Sequence, residues 1–136
     1  MSGGTVTSPD RDHIKTFVQQ ILGCKCPDAI LDNVEIERDI LTDSGVYLHS
    51  RINVSNRLLI YVIEQKRSAF TPNDLQGIVH EGIHDRYKYG FSRFRLVLAT
   101  DGSEELHKSI VSKFDTLPDR DDKVHLHIIG KEDLTF

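Results

Sequence analysis

The sequence predicts an α/β fold: a mixed sheet of four or five strands, its C-terminal part a parallel βαβαβ run, with packed helices and an N-terminal helix ahead of it. Three observations carry the prediction. LLIYVI at 58–63 is apolar on both alternating faces, as a strand covered on both sides must be, and FRLVLA at 94–99 is another strongly apolar strand. Helix-period stretches separate them from each other and from VHLHII at 124–129, a third strand. Each connection is long enough for a parallel crossover.

The elements follow in chain order. Ser8 and Pro9 suit the start of a helix, and Ile14, Phe17, Val18, Ile21 and Leu22 recur at helical spacing up to Gly23. Pro27 can open a short turn with Ala29, Ile30 and Leu31 on its apolar side. VEIERDI at 34–40 and VYLHSRINV at 46–54 read as extended, joined by turn residues at 41–45, and are expected to add antiparallel strands. Thr71-Pro72-Asn73-Asp74 provides a cap, a first-position proline and an early acid for a helix over 72–89. Its stripe is Leu75, Ile78, Val79, Gly82 and Ile83, with Gly90 as terminator. Asp101 and Glu104 precede a last helix carrying Leu106, Ile110, Phe114 and Leu117, which Pro118 ends.

Residues 1–8 read as a flexible tail and 9–136 as one α/β domain. Hydrophobic residues make up 38% and charged residues 28%, which excludes a disordered chain. The net charge of -4 disfavours general nucleic-acid binding, which draws on a surplus of Lys and Arg. No apolar run is long enough to span a bilayer, and the N-terminus lacks the apolar core of a signal peptide, so a cytoplasmic location is expected.

Two motifs carry candidate chemistry. His80-Glu81-x-x-His84 places two imidazoles one helical turn apart, where they could share zinc while Glu81 polarises its bound water. A third ligand is not legible, because the positions three and six residues after His84 are Tyr87 and Gly90. With seven histidines in the chain, the spelling also arises readily by chance. The second motif is Cys24-Lys25-Cys26, at a helix end. Lys25 and nearby amides would favour a thiolate, giving a redox-active dithiol. The one-residue spacing departs from the usual redox pair and would strain a disulfide. Cys24 and Cys26 could alternatively hold zinc with His80 and His84, or with His125 and His127, which share one face of the last strand. The plainer reading is two buried thiols.

Ligands of parallel sheets gather beyond the carboxyl ends of the strands. That rim here carries Glu64, Gln65, Lys66 and Arg67, then Thr100 and Asp101, then Gly130 and Lys131. The basic-aromatic stretch DRYKYGFSRFR at 85–95 fits a helix–strand junction better than a nucleic-acid site. The residues therefore lead to a small, non-enzymatic domain that binds a protein partner or a second copy of itself. A thiol-redox or zinc-binding protein using Cys24 and Cys26 is one alternative. A zinc hydrolase using His80, Glu81 and His84 is the other.

Overall fold

The computed structural model describes residues 13–21, 33–102, 104–117 and 121–134. Its centre is a five-stranded sheet in the order β1-β2-β3-β4-β5, formed by Val34–Leu41, Tyr47–Val54, Leu58–Glu64, Arg93–Thr100 and Val124–Gly130. The first three strands pair antiparallel, while β3, β4 and β5 run parallel, which is the mixed α/β arrangement expected. Residues 13–21 form the N-terminal helix α1, whose last five residues, Phe17–Ile21, have π geometry. A one-turn helix, α2 (Gln65–Ser68), follows β3 directly. Helix α3 (Leu75–Tyr89) joins β3 to β4, and α4 (Glu104–Asp115) joins β4 to β5.

Helices α3 and α4 cover the same face of the sheet. Leu75, Ile78, Val79, Ile110 and Phe114 pack there against Leu59, Tyr61, Ile63, Phe94, Leu96 and Leu98. The opposite face of β1–β4 receives Ile14, Phe17 and Val18 of α1, against Ile36, Ile52, Ile60, Val62 and Val97. All six residues from Leu58 to Ile63 are buried, because β3 lies mid-sheet with a helix on each side. No helix among the described residues is long and apolar enough to cross a membrane.

Local chemistry sets the junctions. Ser55 and Asn56, at φ 54° and 57°, are the central residues of the turn between β2 and β3, closed by the Arg57 amide donating to the Val54 carbonyl at 3.0 Å, and left-handed residues there match the twist of a hairpin. Thr71 and Asp74 bond reciprocally as a capping box; a 3-10 turn at Pro72–Asp74 then leads into α3. Gly90 ends that helix at φ 75°.

One irregularity positions the candidate site. Side chains two apart on a strand share a face, yet Ile36 and Ile52 lie in the α1-side core while Leu48 lies in the α3-side core with Ile40 packed against it. The ladder passes from Arg38↔Ser50 to Ile40↔Leu48 and skips Asp39 and His49. Asp39 has φ 54°, and this left-handed residue breaks the alternation. Beyond the kink the hairpin turn leans on α3. The Ser44 amide donates to Glu81 Oε1 at 2.9 Å, and Thr42 closes the turn through Val46.

Candidate functional site

The kink brings together residues far apart in sequence. His49 lies half-buried on β2, and the half-buried Glu64 is the last residue of the neighbouring β3. Arg38 and Asp39 come from the kinked end of β1, and Arg67 comes from α2. All four charges act on the His49 imidazole. Burial holds its pKa below the ordinary value, Arg38 and Arg67 push the same way, and Glu64 and Asp39 oppose them. His49 is therefore neutral at pH 7 and able to accept a proton. Its Nδ1 shares a hydrogen bond of 3.1 Å with the hydroxyl of Ser50, a fully buried residue.

The surrounding groups are held in place rather than dangling. Arg67 Nη2 donates to Asp39 Oδ1 at 2.7 Å, and its guanidinium lies 5.6 Å from the Tyr47 ring centre. The Ser68 hydroxyl donates to the Tyr47 carbonyl at 2.5 Å, and Gln65 Nε2 donates to the Phe70 carbonyl at 3.0 Å. These bonds fasten α2 to the end of β3, and Ala69 closes the turn in the left-handed region at φ 51°. Two left-handed residues other than glycine, Asp39 and Ala69, thus flank the cluster. Strained backbone of this kind concentrates at functional sites. Lys66 adds an exposed ammonium one residue from Arg67.

This is the β3 part of the rim expected from the sequence, with Glu64, Gln65, Lys66 and Arg67 where a parallel strand ends. Sequence reasoning missed His49, Arg38 and Asp39. His49 and Glu64 are fifteen positions apart with no motif between them, and they come near each other only because β2 lies beside β3 and the kink interrupts the ladder at His49. The exposed residue Asp101 ends the next rim position, where the Gly102 amide donates to Thr100 Oγ1 at 2.8 Å.

His80 and His84 are both exposed on α3. Glu81 accepts the Ser44 amide and so anchors the β1–β2 turn. His127 contacts Arg95 Nη1 through Nε2 at 3.2 Å. Among the described residues no three His, Cys, Asp or Glu side chains converge as a metal-binding set. Cys24 and Cys26 lie outside the described residues. No family model, curated protein or solved structure matches the chain.

Proposed function

We propose that the protein binds a phosphate ester at the carboxyl rim of β3 and hydrolyses it with His49 as general base. The observation that carries this reading is the kink at Asp39 and His49, which sets one imidazole among Glu64, Arg38, Arg67 and Asp39 at the end of a central strand. Such convergence of charged groups around a titratable one, at a strand rim, favours a functional site over a solvated turn. Arg38, Lys66 and Arg67 are cations suited to phosphate, and guanidinium forks match its oxygens in pairs. Glu64 stabilises and orients the imidazolium that forms when His49 takes a proton. In the reaction a water oxygen forms the new bond to phosphorus and its proton passes to His49. The ester P–O bond breaks, and the leaving oxygen is protonated from solvent.

The test is hydrolysis of bis(p-nitrophenyl) phosphate by the full chain, with and without magnesium. Magnesium is included because it commonly needs only one or two protein carboxylates beside the substrate phosphates. Turnover should fall by about 10²–10⁴ in His49→Gln, the usual share of a general base. The rate should rise as His49 loses its proton and be level by neutral pH. Turnover unchanged by His49→Gln and Glu64→Gln would overturn the reading. So would failure to turn over together with no phosphate-induced change in the His49 NMR signals.

A further inference from the structure

A separate cleft lies on the face of the sheet that α3 and α4 cover, where β1 and β2 extend past the cover of α3. The register sets two rows of side chains across it: Glu35, Asn53 and Leu59, then Glu37, Arg51 and Tyr61. Asp85 and Tyr89 of α3, with Phe91, form the opposite wall of a space of about 490 Å³. Arg51 donates to Glu37 at 2.7 Å and stands 3.7 Å from Asp85, which also accepts the Tyr61 hydroxyl. Three carboxylates, those of Glu35, Glu37 and Asp85, thus face one guanidinium. The aromatic wall is exposed, with Tyr89 60% accessible, and Lys88 already rests its ammonium 5.3 Å from that ring centre. The cleft opens beside the outer edge of β1, which no other strand pairs among the described residues.

We infer that this cleft receives an extended basic segment of a partner protein, laid along β1 as a sixth strand with Lys or Arg side chains entering the cleft. An added strand pairs alongside β1, the outermost strand of the described sheet, and its alternate side chains fall on the cleft face. Glu35 and Glu37 are two apart on that face, so they meet successive basic side chains of such a strand. The aromatic wall accepts the aliphatic stems and the cations. Charge selects the occupant. Edge strands bearing charges resist pairing with like strands, and β1 against a second β1 would oppose its own glutamates.

The experiment is fluorescence anisotropy with a labelled nine-residue peptide of alternating Lys and Thr. Three comparisons accompany it: the same peptide with Glu for Lys, the same peptide N-methylated at alternate backbone amides in either register, and spermidine as competitor. The parent peptide should bind, and binding should weaken as salt rises. Glu35→Gln/Glu37→Gln and N-methylation in one register should each weaken it about tenfold or more, a loss of ~1.4 kcal/mol. Both glutamates are exposed, so the double variant should keep its fold, which circular dichroism checks. His49→Gln should bind the peptide normally, which separates this site from the β3 rim. Equal affinity for the N-methylated peptides would refute strand addition. Undiminished binding to the double variant, or displacement by spermidine as effective as by unlabelled peptide, would refute the assignment of the cleft. No binding of the parent peptide would refute both.

Discussion

Gly82 sits on α3 directly above the ring of Phe94. A Cβ added there would lie 2.6 Å from Phe94 Cε1 and nearer still to Cζ and Cε2, well inside the 3.5–4.0 Å at which carbon atoms rest. The ring has little room to yield. Phe94 is fully buried and packs edge-on to Tyr61, with centroids 5.0 Å apart and planes at 81°. Tyr61 is tied in turn to Asp85. Gly82→Ala must therefore lift α3 from the sheet or push Phe94 off its rotamer, at a cost of about 1–3 kcal/mol. Alanine returns about 1 kcal/mol of helix propensity, so the net expectation is a loss of up to about 2 kcal/mol. Gly77, one and a half turns earlier, is the control. Its added Cβ meets only Ser44 Cβ at 3.5 Å, an ordinary contact. Gly77→Ala should gain up to about 1 kcal/mol. Urea unfolding followed by far-ultraviolet circular dichroism measures both. Phe94→Leu should relieve part of the Gly82→Ala penalty, with a coupling above about 0.5 kcal/mol. A Gly82→Ala protein stabilised as much as Gly77→Ala would show that α3 does not press on Phe94 as described.

Three further predictions concern other supports of the fold. Arg86 is only 5% exposed and holds Asp121 through bonds of 3.2 and 2.9 Å, so Asp121→Asn should destabilise by about 2 kcal/mol in chemical denaturation. Arg86 keeps the Asp121 carboxyl below its ordinary pKa; the contribution is present above about pH 4 and lost as pH falls below it, a dependence that Asp121→Asn should remove. Burial, then Arg95 and His125, hold the His127 imidazole down to about 4 from 6.5. Stability from this group is complete above pH 6.5 and declines as pH falls toward 4, by ~1 kcal/mol once solvent screening is allowed for; His127→Gln should flatten that slope in pH-dependent melts. In the capping box, Asp74 Oδ2 accepts from the Thr71 amide at 3.0 Å and from its hydroxyl at 3.2 Å, and Thr71→Ala should cost about 1 kcal/mol in thermal or urea unfolding.

The elements most legible in the sequence are those whose signal is local. Leu58–Ile63 announces itself as a buried strand because every residue is hydrophobic, Phe94–Ala99 because all but Arg95 are, and Thr71-Pro72-Asn73-Asp74 announces a helix start because capping is complete within four residues. Helix α2 is not legible. Gln65–Ser68 carries no apolar side chain, and its turn is held by bonds to Phe70 and Tyr47. Arg86 reads as one more cation in a basic-aromatic stretch, yet it is buried against Asp121, thirty-five residues away. In the same stretch Tyr87 and Tyr89 point outward while Phe94 is fully enclosed.

What the sequence determined by itself is the alternation of strands and helices, the parallel C-terminal half, and the rim residues that follow β3. These depend on side-chain period and on turn chemistry, both of which act within a few residues. Only the tertiary structure decided that α3 and α4 share one face, that Asp39 and His49 interrupt the β1–β2 ladder, and that His49 thereby lies within the electrostatic reach of Glu64, Arg38 and Arg67. It also decided that Glu81 supports a turn and that Glu35, Glu37 and Asp85 border one cleft. Such meetings are fixed by strand register and helix packing, which are settled between segments dozens of residues apart and leave no periodic trace along the chain.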